Sequence, residues 1–215
     1  DPMLNSIQLK SAFNELKAQG KMSFKNLYFD DSIIDKKEFS QGWMWDDDIS
    51  PYTPKVSSYN LDGNVISVNL IPSSNGMMDI NKKSKYPMSV ISYIKADPAF
   101  DNLDMNRYNW INSDVVEVYG VVNKTKSFSI PVRNMRKYFI YNVEQALDET
   151  KIQITDTSYA SKLVPEDAEL LTEITNPISN IIAPILQNSN NLMAETIYKV
   201  AASKKYEATG TDQLA

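Results

Sequence analysis

Ser189-Asn190-Asn191 lies between two predicted helices, where a hydroxyl and a carboxamide two residues apart can face one cleft. A serine there can relay a proton beside a lysine, and an asparagine amide can donate a hydrogen bond to a bound amide carbonyl. Helix capping is the alternative interpretation, because serine and asparagine are preferred N-caps. Spacing alone favours capping, since Ser58-Tyr59-Asn60 and Ser73-Ser74-Asn75 match the same pattern in predicted strand and turn regions.

A second candidate is the segment Gly42 to Asp48, in which Trp43 and Trp45 precede three consecutive aspartates. Aromatic rings beside a carboxylate can form a wall and a counter-charge for a cationic group. The alternative is a loop pinned by buried tryptophans with its acids in water. A calcium loop is a weaker interpretation, because the stretch Asp30 to Asp35 lacks the glycine and terminal glutamate of an EF-hand.

The chain contains no histidine and no cysteine. Disulfides, Cys or His metal sites and Ser-His-Asp or Cys-His catalysis within the chain are therefore excluded. Acid–base chemistry would use carboxylate, Lys, Tyr or Ser side chains. We predict neither a metal nor a cofactor, although a hard cation held by oxygen ligands remains possible on composition alone.

Two further motif matches are predicted to be coincidental. Ser92-Tyr93-Ile94-Lys95 has the Ser-x-x-Lys spacing, but it lies in an alternating strand pattern, where residues i and i+3 face opposite sides. Lys124-Thr125-Lys126 resembles Lys-Thr-Gly, but lysine replaces the glycine and the triplet occupies a predicted hairpin turn.

The elements that must position these residues indicate an α+β fold, in which a β segment is inserted into an α/β-like unit. A long, aromatic-rich loop over residues 30–59 indicates a functional or binding role, and turns are predicted at 97–113 and 123–126. Apolar periodicity predicts helices over residues 4–19, 134–148, 177–186 and 192–202, and strands over 23–30, 65–70, 88–94, 115–122, 127–132, 152–155 and 169–174.

The net charge of −5 and the isoelectric point near 4.9 argue against nucleic-acid binding, which needs a concentrated basic face. No apolar run approaches the length of a membrane helix, and the mean hydropathy is −0.37. Because the chain starts at Asp1 without an initiator methionine or a signal peptide, we expect it to be part of a longer protein. The oligomeric state is not predicted.

The order of several segments resembles the class C low-molecular-mass penicillin-binding proteins, the D-alanyl-D-alanine carboxypeptidases/endopeptidases of peptidoglycan. The resemblance spans nearly the whole chain, and its most specific parts are the Gly-Trp-x-Trp-Asp-Asp loop and the Ser-Asn-Asn-Leu-Met-Ala-Glu corner. The matching segments are Asp1-Pro2 with the first helix, Phe29 to Ser32, Gly42 to Asp47, Asn64 to Leu70, and Asn188 to Glu195.

The resemblance implies an inserted α/β-like domain with a small β domain nested within it, followed by two helices of the penicillin-binding catalytic domain. The inserted domain would comprise residues 1–75 and 128–175, the nested domain 76–127, and the helices 176–215. Of the family motifs Ser-x-x-Lys, Ser-x-Asn and Lys-Thr-Gly, the chain carries only Ser-x-Asn in a matching place. We therefore expect these residues to be inactive on their own.

The resemblance also implies site residues. Ser189 would be the proton relay and Asn191 the donor to the substrate carbonyl. Asp47 and Tyr52 would line a pocket for the amino end of a diaminopimelate side chain, with Asp46 and Asp48 as alternative carboxylates.

The implied parent protein is a serine-type peptidase of the bacterial periplasm or another extracytoplasmic compartment. Its partners would be peptidoglycan stem peptides and β-lactams. The alternative is a non-catalytic binding or scaffold module of the cell envelope.

Overall fold

The computed structural model has a mixed α+β architecture, which confirms the predicted fold class. It describes residues 1–37, 39, 42–97, 99–107 and 114–211, without the side chains of 45, 46 and 157–160. The elements in chain order are α1 (Ser6–Ala18), β1 (Ser23–Phe29), β2 (Val65–Pro72), β3 (Met78–Lys82), β4 (Ser89–Ala96), β5 (Asn102–Arg107), β6 (Val115–Val122), β7 (Lys126–Pro131), α2 (Met135–Thr150), β8 (Gln153–Ser161), α3 (Ile178–Asn188) and α4 (Asn191–Tyr206).

The chain forms two compact units. The first comprises Asp1–Gly42, Val56–Gly63 and Met135–Ala215, and the second comprises Trp43–Lys55 and Asn64–Asn134. The predicted nested domain, 76–127, lies within the second unit, and the predicted helical segment, 176–215, lies within the first. The three-part domain division itself stays a prediction.

The first unit combines the four helices with a two-stranded parallel sheet of β1 and β8. Helix α1 begins with a capping box, since Asn5 accepts from the Gln8 amide at 2.9 Å and Gln8 accepts from the Asn5 amide at 3.2 Å. An aromatic cluster of Phe29, Tyr59 and Phe139, with ring centroids 5.8–6.2 Å apart, packs the end of β1 against α2.

The second unit contains two three-stranded sheets. In one sheet β2 pairs antiparallel with β3 and β7, and its alternating residues Ile66, Val68 and Leu70 are buried. In the other sheet β6 pairs parallel with β4 and antiparallel with β5. The buried side chains Val116 and Val118 of β6 contribute to the core of this unit.

Two local predictions are wrong. Residues 169–174 form no strand, because no described segment pairs with them; instead Gln19 donates to the Leu171 carbonyl at 3.1 Å and Thr172 donates to Glu15 at 2.8 Å. Part of the predicted turn region 97–113 is the strand β5; residues 98 and 108–113 lie outside the described part. The strand assignment of Ser92 to Lys95 is confirmed, since both residues lie in β4.

Within the described residues, no helix combines the length and the hydrophobicity needed to cross a lipid bilayer.

Candidate functional site

Ser189 forms the corner between α3 and α4. Its backbone is left-handed, with φ 51° and ψ 46°, and its amide donates to the carbonyl of Pro184 in the last turns of α3. An L-residue in this conformation costs about 1–2 kcal/mol, and it ends α3 so that the next helix can begin two residues later. The side chain of Ser189 is exposed at this corner.

The capping role at the corner belongs to Asn190. Its side-chain oxygen accepts from the Met193 amide at 3.0 Å, which satisfies one free N–H at the start of α4. Asn191 is the first residue of α4, and its side chain, like that of Ser189, is exposed. The capping interpretation therefore holds for the middle residue, while the two predicted functional side chains flank the cap.

Helix α4 is fixed by polar contacts on its buried face. The side-chain amide nitrogen of Asn60 donates to the hydroxyl of Thr196 at 2.9 Å. The Lys199 ammonium, with a fully buried side chain, lies 2.7 Å from Asp35 and donates to the Lys37 carbonyl at 3.0 Å. Sequence reasoning missed Lys199, although its position seven residues after the buried Leu192 places it on the core-facing side of the helix.

Asp47 lies in a 3-10 turn, Trp45–Ile49, at the start of the second unit. Its Oδ2 atom accepts from the Met44 amide at 3.0 Å and its own amide donates to the Met44 carbonyl at 3.1 Å, so side chain and backbone close the turn together. The Thr53 hydroxyl donates to the Asp47 carbonyl at 2.7 Å. The direction of the Asp47 carboxylate therefore depends on the conformation of the turn.

The next residue, Asp48, is bound by two arginines. Its oxygens lie 2.6 Å from Nε of Arg107 and 2.5 Å from Nη1 of Arg133, and its side chain is only 11% exposed. Burial lowers the pKa of the Arg107 guanidinium, and the Asp48 carboxylate opposes that shift. The expectation that these acids lie in water is therefore wrong for Asp48, which is committed to guanidinium groups; the side chain of Asp46 lies outside the described part.

The acids at residues 30 and 31 serve local structure. Asp30 accepts from the amide and the hydroxyl of Ser32 at 3.0 and 2.6 Å, and these hydrogen bonds lower the pKa of its carboxyl group. Asp31 accepts from the hydroxyl of Tyr59 at 2.8 Å. Among the described residues, no group of three or more acidic side chains is placed to hold a metal ion.

The predicted site residues are divided between the two units. Ser189 and Asn191 lie in the first unit, whereas Asp47 and Tyr52 lie in the second. Tyr52 is 73% exposed, five residues after Asp47, and its amide donates to the Ser50 hydroxyl at 3.3 Å. The roles of all four residues remain predictions.

The chain is similar to known proteins of the kind that the sequence resemblance implied. A curated relative, the D-alanyl-D-alanine carboxypeptidase DacB of Haemophilus influenzae, is 24% identical; the alignment covers 100% of this chain and 46% of that protein. The chain thus spans about half the length of the curated relative that it matches.

Two crystal structures of penicillin binding protein 4 (dacB) from Haemophilus influenzae share the fold. The first has a TM-score of 0.79 at 22% identity and covers 100% of this chain and 49% of that one. The second, a complex with a novel β-lactam, has a TM-score of 0.70 at 20% identity and covers 100% and 47%.

The family model of the D-Ala-D-Ala carboxypeptidase 3 (S13) family matches residues 1–215, the entire chain. This match confirms the resemblance drawn from the tryptophan–aspartate loop and the Ser-x-Asn corner. The chain belongs to the D-Ala-D-Ala carboxypeptidase 3 (S13) family.

Proposed function

We propose that this chain is part of a serine-type D-alanyl-D-alanine carboxypeptidase/endopeptidase that cleaves peptidoglycan stem peptides through an acyl-enzyme. The observation that supports this most is the family match over the whole chain, together with a Ser-x-Asn triplet whose two outer side chains are exposed at a helix–helix corner. The nucleophilic serine, its lysine and the Lys-Thr-Gly motif would lie outside residues 1–215.

In the proposed reaction, the nucleophilic hydroxyl attacks the amide carbonyl, and the tetrahedral intermediate then expels D-alanine or a cross-linked amine. Water hydrolyses the resulting ester. Ser189 would pass a proton towards the leaving nitrogen, and the Asn191 amide would donate to the carbonyl oxygen of the substrate. A lysine base suits a protein segment that contains no histidine.

Asp47 and Tyr52 would recognise the side-chain end of the stem peptide. A carboxylate attracts the ammonium group of diaminopimelate, and an aromatic ring beside it supplies an apolar wall. The commitment of Asp48 to two arginines supports Asp47 over Asp48 as the recognition carboxylate. β-Lactams, which acylate serine peptidases of this kind, would be inhibitors, and the compartment would be extracytoplasmic.

The test is the Ser189→Ala variant of the longer protein that we propose contains this chain. Removal of the proton relay should lower kcat/KM for release of D-alanine by about 10²- to 10⁴-fold. Ser179→Ala is the matched control, because Ser179 is an exposed serine near the start of α3, away from the corner, and it should leave the rate within twofold. The rates are measured on a D-Ala-D-Ala peptide with both variants purified in parallel.

Two outcomes would contradict the proposal. Equal rates for Ser189→Ala and the unmodified protein would remove the proton-relay role. Absence of any D-alanine release and of any β-lactam labelling in the longer protein would instead favour a non-catalytic scaffold of the cell envelope.

A further inference from the structure

We propose that Asp48 is a positioning residue whose ion pairs with Arg107 and Arg133 fix the direction of the Asp47 carboxylate, and thereby set the selectivity for substrates with a side-chain amine. This inference rests on the proposed function, because it concerns the same recognition pocket. Asp48 would act through the turn and would not touch the substrate.

Described residues on both sides of the turn that carries Asp47 are exposed. Met44, at its start, is 62% exposed, and Tyr52, just after it, is 73% exposed. Asp47, Ile49 and Ser50 are half-buried, while the side chain of Asp48 is 11% exposed. A 3-10 turn of five residues also has weaker internal hydrogen bonds than an α-helix. Ion pairs with the rest of the unit therefore help to hold the turn in place.

The Asp48 ion pairs supply such contacts. Arg107, at the end of β5, places Nε 2.6 Å from Asp48, while its Nη2 donates to the Pro131 carbonyl at the end of β7, also at 2.6 Å. The Arg107 side chain is 9% exposed, so water screens this pair weakly. One guanidinium thus ties the turn to two strands, and Arg133 holds the other oxygen of the same carboxylate.

Because Asp47 and Asp48 are neighbours in the same turn, we infer that the ion pairs of Asp48 also restrict Asp47. One of its carboxylate oxygens is occupied by the Met44 amide, and the other accepts no hydrogen bond within the described part of the chain. This second oxygen is the one that can meet an ammonium group. Because substrate geometry must be held within about 1 Å for efficient turnover, a turn released from its arginines would present this oxygen poorly.

The experiment measures selectivity in the longer protein. Two D-Ala-D-Ala peptides are compared, one with a lysine side chain and one with norleucine, which lacks the amine. Asp48→Asn should lower the ratio of their kcat/KM values about tenfold, the range of one charge-assisted hydrogen bond. Asp47→Ala should lower it similarly, and the double variant should fall no further, because both changes remove one interaction.

Two variants separate positioning from other effects. Arg133→Gln removes a positive charge near Asp47, so electrostatics alone would raise the preference for an amine, whereas loss of positioning lowers it. Arg133 is 34% exposed, so this variant also carries the test if Asp48→Asn does not fold. Asp101→Asn breaks an exposed ion pair of the same unit, with Lys126 at 2.9 Å, and should leave the ratio within twofold.

The outcomes distinguish the two proposals. If the unmodified protein prefers the amine and Asp47→Ala abolishes that preference, but Asp48→Asn and Arg133→Gln retain it, the positioning role is wrong and the proposed function stands. A higher ratio in Arg133→Gln also overturns positioning. If the unmodified protein cleaves neither peptide, the proposed function and this inference both fail.

Discussion

At the scale of single residues, the buried Lys199 ammonium of the first unit forms an ion pair with Asp35 at 2.7 Å. Its side chain is 0% exposed, while its partner Asp35 is 19% exposed. Removing the carboxylate and removing the ammonium should therefore have different effects on stability. Loss of Asp35 removes a carboxylate that lies 2.7 Å from a buried ammonium, whereas loss of Lys199 leaves a carboxylate that water can reach.

We predict that Asp35→Ala lowers the free energy of unfolding by about 3–5 kcal/mol, whereas Lys199→Met costs less than about 2 kcal/mol because methionine can fill much of the space of the lysine stem. Urea denaturation of the two variants measures the difference. Asp148→Ala is the control, because the Asp148–Lys151 pair is 78% and 72% exposed and should contribute less than about 0.5 kcal/mol. A larger loss in Lys199→Met than in Asp35→Ala would contradict this account.

The site residues could be predicted from the sequence only in part. Spacing marked Ser189 and Asn191 as candidates but favoured capping, and the resemblance alone gave them a catalytic role. The structure assigns the cap to Asn190. The ion pairs of Asp48 could not be foreseen, because Arg107 and Arg133 lie 59 and 85 positions further along the chain and nothing local indicates that they meet one carboxylate.

At the scale of elements, the close contact between β5 and β6 depends on Gly120. Its φ is 122°, and a Cβ there would lie 2.0 Å from the Asn102 carbonyl oxygen on β5. Gly76 also has a positive φ, 76°, but a Cβ there would meet no described atom within 4 Å. The two glycines therefore separate the cost of a steric clash from that of the backbone conformation.

We predict that Gly120→Ala lowers the free energy of unfolding by at least about 3 kcal/mol, since it adds an overpacking cost to the conformational cost. Gly76→Ala should cost only about 1–2 kcal/mol, the conformational penalty. Thermal and urea denaturation measure both, and hydrogen exchange should show lost protection in β5 and β6 for Gly120→Ala alone. Similar losses in the two variants would show that β5 can move away from β6.

Most helices and strands could be predicted from local sequence patterns. Those patterns did not show which segments find a strand partner, nor which strands pair with each other. The strand β5 reads Asn-Leu-Asp-Met-Asn-Arg, and its asparagines and aspartate favour turns; pairing with β6 overrides this preference. Residues 169–174 have a strand-like composition but no partner in the described part of the chain. Parallel pairing of β1 with β8 joins residues 130 or 132 positions apart, which no local pattern specifies.

At the scale of the whole molecule, the question is whether this chain carries a nucleophile of its own. The Ser-x-x-Lys match at residues 92–95 lies on β4, where Ser92 is half-buried and accepts from the Ile94 amide at 3.3 Å, while Lys95 is exposed on the opposite face. The Lys-Thr-Lys triplet ends at Lys126, whose ammonium pairs with Asp101 at 2.9 Å. Neither match places a lysine beside a serine hydroxyl as acylation requires.

We therefore predict that a β-lactam does not label the 215-residue chain, whereas the longer protein is labelled at a serine outside residues 1–215. Intact-mass spectrometry after incubation with benzylpenicillin gives the result: no added mass on the short chain, and one adduct on the longer protein, located by peptide mapping. Circular dichroism of the short chain serves as the control that it is folded, because an unfolded chain would also fail to react. An adduct on any serine of residues 1–215 would show that the catalytic serine lies within this chain and would overturn the assignment of Ser189 as a proton relay that serves a nucleophile elsewhere in the protein.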